Sequence, residues 1–317
     1  MPSLLRIATI AFDEVFFDRQ HHLALSHRGK ARRWKDPKYA LAYAGLADSY
    51  VLLREYRLAP GKEVFPKARG AATHALALND TLAEAHTSLA DIKADYDWDW
   101  PGAEQEFKRA IELNPAYPTA HQWYAEFLSE MGRHREALTE SQLAQKLDPN
   151  SPIISAGIGK ILFEAGQNDA AAGPLKKTID LAPNFAHAHS YLGKVYLRKK
   201  MFPEAVAEFE KAATLSGRIA DYLGGLGHAY ARADRTADAG KILDELQERS
   251  RTKYISWRDI AVIYAGLGDK DQAFASLNKA YELRDSGIVF MKVDPLFDPL
   301  RDDPRFQCLL RRIGLPE

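Results

Sequence analysis

Alternating aspartates and tryptophans near the middle of the first half are the first candidates for chemistry. Residues 95–100 read DYDWDW, so that three carboxylates alternate with three aromatic rings. Closely spaced carboxylates suggest a calcium loop, but that loop needs a central glycine and a glutamate at a fixed distance, and neither is present. Asp99 followed by Pro101 is instead typical of the start of a helix. We therefore expect no metal here, and expect Trp98 and Trp100 to pack between helices.

Histidine and cysteine supply the other candidate ligands and nucleophiles. His86, His121 and His189 occupy one position of a repeated pattern described below, which favours packing between helices. His187 and His189 are two residues apart and point to different faces of a helix. Cys308 is the only cysteine, which excludes an internal disulfide and a cysteine-rich zinc site. Since no glycine-rich phosphate loop or kinase catalytic motif occurs either, we predict no enzymatic activity, no metal and no cofactor.

Composition limits the possible partners. The chain has 317 residues with 43 basic and 43 acidic side chains, so its formal net charge is zero. Without a positive field, direct binding to nucleic acid is not expected. No run of 18 apolar residues exists, so we predict no membrane insertion. The apolar N-terminal stretch LLRIATIAF is short and lacks a cleavage site, which favours a cytoplasmic location.

The elements that position these residues are helices that recur at a fixed period. Residues 185–215 contain two amphipathic helices joined by a short turn. Equivalent helix pairs begin 34 residues apart over five units (for example 152 − 118), and two earlier units are separated by 35 (118 − 83) and 43 (83 − 40). The units begin at Ala40, Ala83, Pro118, Pro152, Ala186, Ala220 and Tyr254. The extra residues of the first unit, Tyr56 to Phe65, are expected to form a loop, followed by a second helix over about Pro66 to Leu78.

Small residues mark where the two helices of each unit must touch. The eighth position of the seven units is Ala47, Ala90, Ala125, Gly159, Gly193, Gly227 and Ala261. The twentieth position, counted back from the next unit where there is an insertion, is Ala68, Ala103, Ala137, Ala171, Ala205, Ala239 and Ala273. A small side chain at both positions lets the helix backbones approach closely. This pattern predicts a stack of helical hairpins.

A 34-residue period with these small residues resembles the tetratricopeptide repeat (TPR). The resemblance covers about four fifths of the chain. It implies an all-α fold, a right-handed α-solenoid (superhelix) of about seven TPR hairpins, and binding of a protein or peptide partner. Residues 97–138 and the tail VDPLFDPLRDDPRFQCLLRRIGLP also resemble the C-terminal repeat halves of bacterial winged-helix regulators, Ser/Thr kinases and cyclases.

We predict three regions from this register. Residues 1–36 form an irregular, basic lead-in, residues 37–285 the TPR array, and residues 286–317 a C-terminal capping segment. In the capping segment Asp303 and Pro304 are expected to start a short helix that covers the exposed end of the array.

In this repeat family the binding groove is lined by positions 2, 5, 9, 12 and 13 of each first helix. At these positions the sequence segregates charge, which predicts a groove for an extended peptide or helix with separated charges. The acidic members are Glu84, Asp91, Asp95, Glu126 and Glu130, and the basic members are Lys160, Lys194, Arg198, Arg232 and Arg258. Ala44 and Asp48 stand where the chaperone-tail clamp of this family needs Lys and Asn, so a chaperone C-terminus is not the expected partner.

The function predicted from the sequence is a non-catalytic protein-interaction scaffold. The alternative is the sensory half of a bacterial signalling or transcription regulator whose DNA-binding or kinase module is absent from this chain. The identity of the partner and the oligomeric state do not follow from the sequence.

Overall fold

A computed structural model describes residues 38–55, 59–285 and 287–315, and these residues form helices without a strand. The predicted basic lead-in at residues 1–36 lies outside the described residues. The chain divides into two compact units between Trp123 and Tyr124, and each is described by itself. We call the part up to Trp123 unit 1 and the part from Tyr124 unit 2.

Unit 1 contains two complete helical hairpins and the first residues of the helix that leads the third. Hairpin 1 pairs α1 with α2, and hairpin 2 pairs α3 with α4. The helices are Ala40–Glu55 (α1), Gly61–Leu78 (α2), Ala83–Ile92 (α3), Trp100–Leu113 (α4) and Pro118–Glu130 (α5), the last of which contains the division point.

The start of α2 corrects an expectation from the sequence. The insertion in the first unit was predicted to be a loop reaching Phe65, with the helix beginning near Pro66. Instead α2 begins at Gly61 and includes Pro66. Val64 and Phe65 are almost completely buried in the core of hairpin 1. Burial of these two side chains outweighs the loss of one backbone donor at the proline.

One extra residue in the second unit is absorbed within a helix rather than in a turn. The helix α3 continues into a π-helical segment, Lys93–Asp97, before the turn to α4. A π-helical turn accommodates one residue more than an α-helical turn. This explains the spacing of 35 instead of 34. Asp99 caps α4 as expected, since its side chain accepts a hydrogen bond from the Gly102 backbone N–H.

Unit 2 continues the same pattern. Hairpin 3 pairs α5 with α6, hairpin 4 pairs α7 with α8, hairpin 5 pairs α9 with α10, hairpin 6 pairs α11 with α12, and hairpin 7 pairs α13 with α14. The helices are His134–Leu147 (α6), Pro152–Glu164 (α7), Asn168–Leu181 (α8), Ala186–Arg198 (α9), Phe202–Leu215 (α10), Ala220–Arg232 (α11), Thr236–Ser250 (α12), Trp257–Leu267 (α13) and Lys270–Leu283 (α14).

The small residues lie where the register predicts helix contacts. All seven alanines at the twentieth position are fully buried. At Gly193, an added Cβ would lie 2.9 Å from two ring atoms of Phe209, so the glycine allows α9 to approach α10 closely. The helical hairpins predicted from the period are therefore confirmed.

A residue with a left-handed backbone conformation recurs in the turns within the hairpins. This recurrence was not predicted from the sequence. Its φ is 79° at Gly132 and 77° at Gly166, and non-glycine residues take the same conformation elsewhere in the series. These positions are 34 residues apart and follow the first helix of hairpins 2 to 7. The full series is Trp98, Gly132, Gly166, Lys200, Asp234 and Gly268.

After hairpin 7 the chain forms two 3₁₀ helices and a final α-helix. The 3₁₀ helices are Ile288–Lys292 and Pro295–Leu300, and the final helix, α15, is Pro304–Ile313. Asp303 caps α15 through the Arg305 backbone N–H, and Gly314 ends it with φ 75°. The apolar face of α15 is buried, and α15 packs against α14.

Candidate functional site

The predicted groove residues lie on the leading helices of the hairpins. In each unit we call the side formed by these helices the first-helix surface of that unit. In unit 1 the acidic residues Glu84 and Asp91 are on α3, and Asp95 is on the π-helical segment. The guanidinium of Arg54, on α1, forms an ion pair with Asp95 and lies 3.8 Å from Asp91. Because Arg54 lies at the fifteenth position of its unit, the groove positions taken from the family did not include it.

Asp48 adds a further carboxylate to the first-helix surface of unit 1. Its side chain on α1 accepts a hydrogen bond from the Ser88 hydroxyl on α3. Burial, together with the negative charges of Glu84 and Asp91, raises the pKa of Asp48 to about 7, against the opposing effect of the Ser88 hydrogen bond. The sequence analysis noted Asp48 only because it breaks the chaperone-tail clamp. We call Asp48, Glu84 and Asp91 the acidic face.

In unit 2 the acidic and basic residues nearest the division point are joined to each other. The Lys160 Nζ atom lies 2.9 Å from Glu126 Oε2, and both Lys160 and Glu130 are buried. Burial by itself would lower the pKa of Lys160, but the charges of Glu126, Glu164 and Glu130 raise it well above its ordinary value. Lys160 is therefore a buried cation held by carboxylates of the same surface.

Three of the other four predicted basic residues, Lys194, Arg198 and Arg258, contact residues 288–301, a segment that we call the strap. The Lys194 Nζ atom lies 3.1 Å from Asp294 Oδ2, and the Arg258 guanidinium binds the same carboxylate oxygen. Arg198 Nε lies 3.0 Å from Asp298 Oδ2. Lys194 and Arg258 hold the pKa of Asp294 well below its usual range, although burial acts in the opposite direction.

Arg232 differs from the other predicted basic residues because its side chain is exposed. Its guanidinium carbon lies 5.9 Å from the centre of the Phe202 ring. The five basic positions predicted as one row therefore have different surroundings: one is paired within the array, three are paired with the strap, and Arg232 faces solvent.

The strap carboxylates that pair with these basic residues were not predicted from the sequence. A usable signal was present, because Asp294 and Asp298 are four residues apart (298 − 294), as are Lys194 and Arg198 (198 − 194). Matching charge spacing on two segments 100 residues apart indicates that they pair. The sequence analysis treated residues 286–317 only as an end cover and did not compare their charges with those of the groove.

Apolar burial adds to the attachment of the strap. Six of its side chains are at most 1% exposed, namely Ile288, Val289, Met291, Leu296, Phe297 and Leu300. Burial of one such side chain contributes ~1.5–3 kcal/mol, so the six together contribute on the order of 10 kcal/mol, which is opposed by the entropy cost of ordering the segment.

The histidines at the fourth position contact backbone carbonyl oxygens, and two of them also contact a glutamate of the following helix. The Nε2 atom of His189 is 2.9 Å from the Pro183 carbonyl oxygen, and its Nδ1 atom is 2.6 Å from Glu208 Oε2. The bond to Glu208 is the main reason that the pKa of His189 is raised. With two acceptors, the ring donates from both nitrogens when it is protonated.

His86 makes the same pair of contacts in unit 1. Its Nε2 atom is 3.2 Å from the Asp80 carbonyl oxygen, and its Nδ1 atom is 2.7 Å from Glu106 Oε2. The bond to His86 is the main reason that the pKa of Glu106 is lowered to about 2. His121 repeats the carbonyl contact, 3.0 Å from the oxygen of Pro115. The packing role predicted for these histidines is thus confirmed.

Two further properties of the described residues concern metals and membranes. Among residues 38–55, 59–285 and 287–315, no three His, Cys, Asp or Glu side chains are grouped so that they could hold a metal ion. In that same part of the chain, no helix combines the length and the apolar character needed to cross a bilayer. Cys308 is exposed on α15.

Family models identify the repeats. Models of the tetratricopeptide repeat match residues 99–161, 157–221 and 256–286. The chain therefore contains tetratricopeptide repeats, which are generally non-catalytic modules for protein–protein interaction. A search of the curated proteins found no match. The resemblance to the repeat halves of bacterial regulators, kinases and cyclases is not shown by these matches and stays a prediction.

Solved structures with the same fold include TPR proteins. PilW, described as a widely conserved type IV pilus biogenesis factor, is 18% identical with a TM-score of 0.54, over 71% of this chain and 97% of that chain. TTC0263, a thermophilic TPR protein of Thermus thermophilus, is 20% identical with a TM-score of 0.50, over 58% and 98%. Human IFIT1, in a dimer with m7Gppp-AAAA, is 15% identical with a TM-score of 0.63, over 92% and 72%. At these identities the likeness shows the fold alone, and it confirms the predicted α-solenoid.

Proposed function

We propose that this chain is a non-catalytic scaffold that binds a peptide or helix of a partner protein on its first-helix surface. We further propose that the partner presents basic side chains to the acidic face of unit 1. The supporting observation is that the acidic and basic groove residues have different neighbours. Three basic residues of unit 2 form ion pairs with the chain's own strap. In unit 1, Asp48 and Glu84 lie among other carboxylates.

The raised pKa of Asp48 supports a cationic partner. The carboxyl loses its proton only near pH 7 because burial and like charges disfavour the anion. A Lys or Arg side chain placed within about 4–6 Å would favour the anion and lower that pKa. Binding would then release a proton near neutral pH, so affinity for a basic partner would rise from pH 6 to pH 8.

In unit 2, Arg232 is the basic groove residue that we retain as a partner contact, because it is exposed. We assign Lys194, Arg198 and Arg258 to the strap instead of to a partner. The partner required by this proposal therefore carries more positive charge than the evenly bipolar peptide expected from the sequence.

The test measures binding of a fluorescent decalysine peptide to the full chain by fluorescence anisotropy. A fluorescent decaglutamate peptide is the probe of opposite charge. The double variant Asp48→Asn, Glu84→Gln should weaken decalysine binding about tenfold, since two charge contacts of roughly 0.5–1 kcal/mol each are lost. Glu112→Gln is the matched control, because Glu112 is 68% exposed on α4 and away from the acidic face.

Three results would contradict the proposal. They are equal decalysine affinity for the double variant and the control, tighter binding of decaglutamate than of decalysine, and decalysine affinity that is unchanged between pH 6 and pH 8. Salt should weaken the decalysine complex, because exposed charges are screened.

A further inference from the structure

We infer that the strap is an intramolecular ligand that permanently occupies the leading helices of hairpins 4, 5 and 7 and joins these hairpins into one cooperative unfolding unit. This inference goes beyond the proposed function and does not depend on it. It is carried by contacts of residues 288–301 with three leading helices: those of hairpins 4 and 5 are consecutive, and that of hairpin 7 lies beyond hairpin 6.

Asp294 is the centre of these contacts. It caps the second 3₁₀ helix through the Leu296 backbone N–H, and its other oxygen binds Lys194 of hairpin 5 and Arg258 of hairpin 7. One carboxylate thus bridges two hairpins that are separated by hairpin 6. Its side chain is 4% exposed and that of Arg258 is 2% exposed, so solvent does not compete effectively for this contact.

Aromatic contacts extend the attachment on both sides of Asp294. Phe290 lies beneath Lys160 of hairpin 4, with 4.6 Å between the Nζ atom and the ring centre. Phe297 is fully buried, and the Arg258 guanidinium carbon lies 5.3 Å from its ring centre. Cations over aromatic faces are stabilised further when they are desolvated. The strap therefore contacts hairpin 4 as well as hairpins 5 and 7.

The strap also holds its own shape. Arg301 donates to the carbonyl oxygens of Lys292 and Asp294, at 2.5 and 3.1 Å, and pairs with Asp298 at 2.7 Å. These bonds close the segment on itself, so it is presented to the array as one preformed piece. A preformed segment loses less conformational entropy on docking than a flexible one.

Both ends of the strap are anchored to hairpin 7. Before the strap, the Asp285 carboxylate accepts hydrogen bonds from the Tyr254 hydroxyl and the Trp257 backbone N–H, at 2.9 and 2.6 Å. After the strap, Arg305 on α15 pairs with Asp271 on α14 at 2.7 Å. Anchors at both ends keep the local concentration of the strap high, so an acidic segment from another protein would compete poorly for the same cations.

The consequence for unfolding follows from the architecture of repeat arrays. In such arrays each repeat contacts only its neighbours, so hairpins can open one after another. A segment that binds three hairpins at once opposes this, since opening any of them breaks contacts with the strap. Hairpins 4, 5 and 7 should therefore open together.

Native-state hydrogen exchange on the full chain, read by mass spectrometry, tests the inference. Amides of α7, α9 and α13 should show the same opening free energy, and Asp294→Asn should reduce protection in all three by the same factor, at least tenfold. Asp302→Asn is the matched control, since Asp302 is exposed and follows directly after the strap. It should leave protection unchanged.

Loss of protection in the strap and hairpin 7 alone, with α7 and α9 unaffected, would overturn the inference. A second contradicting result would be faster hydrogen exchange in the strap when a synthetic peptide of residues 288–301 is added in excess. The added peptide would then have displaced the strap from the array. If Asp294→Asn does not fold, Arg198→Gln replaces it, because that residue's pair with Asp298 is partly exposed. It should lower protection in the same three helices, though less.

Discussion

Phe209 lies between two glycines, and this arrangement gives the sharpest stability prediction. The ring is fully buried on α10. A Cβ added at Gly193 of α9 would lie 2.9 Å from the ring, and one added at Gly225 of α11 would lie 2.5 Å from Cε1. The variant Gly225→Ala therefore forces a methyl group into the space that the ring occupies. Because Gly193 closes the opposite side, the ring cannot move away without displacing α9.

Two opposing effects determine how much Gly225→Ala changes the free energy of unfolding. Alanine is favoured over glycine within a helix by ~1 kcal/mol. Overpacking of a well-packed core costs ~1–3 kcal/mol. Gly225→Ala should therefore lower the free energy of unfolding by about 0–2 kcal/mol in net terms. Gly173→Ala is the matched control: an added Cβ there meets nothing within 4 Å, so only the helix preference acts.

The assay is urea unfolding followed by circular dichroism. Gly173→Ala should raise the free energy of unfolding by about 1 kcal/mol, so the two variants should differ by roughly 1–3 kcal/mol. An equal increase in both variants would refute the close packing of α10 between α9 and α11.

Two further predictions concern pH. The pKa of His189 is raised by its bond to Glu208, so its contribution to stability is complete below the unfolded value of about 6.5 and is lost as pH rises through the folded value. His189→Gln should therefore cost more stability at pH 6 than at pH 9, and an equal cost at both would contradict the contact. The pKa of Asp48 is raised from 3.8 to about 7, so the folded state loses stability as pH rises between these values. Asp48→Asn should become increasingly stabilising from pH 5 to pH 8 in urea unfolding, and no change over this range would refute the burial of its charge.

Much of the fold followed from the sequence because the period is strict. Seven first-helix and seven second-helix positions were assigned from small residues such as Gly193 and Ala205, and the structure buries all of them. The errors lie where the period is broken. The extra residues of the first unit partly join α2 through the burial of Phe65, and the single extra residue of the second unit enters the π-helical segment. A count of residues between units cannot distinguish a longer loop from a longer helix.

The candidate site was less predictable for a different reason. The register placed positions such as Lys194 and Arg258 on the leading helices of their hairpins, but it describes only contacts that repeat. The strap occurs once, and it meets the array through pairs of residues such as Lys194 and Asp294 that are 100 positions apart. Such contacts depend on tertiary geometry that periodicity does not encode. The ten groove residues therefore stay a prediction. Glu84 and Asp91 lie on the acidic face, Asp95 pairs with Arg54, and Lys160 lies with Glu126 and Glu130. Lys194, Arg198 and Arg258 contact the strap, and Arg232 is exposed.

The position of the strap in the chain has a consequence for biosynthesis. Residues 288–301 follow every hairpin of the array, so the ribosome makes them after hairpins 4 and 5 have emerged. Closing a loop of 100 residues has a large entropic cost, and contacts of long sequence separation form slowly. During this interval Lys194, Arg258 and the apolar surface beneath Phe297 have no strap to cover them. A growing chain of this protein thus passes through a stage with a charged, partly apolar surface open to other molecules, and that stage ends only when the last segment docks.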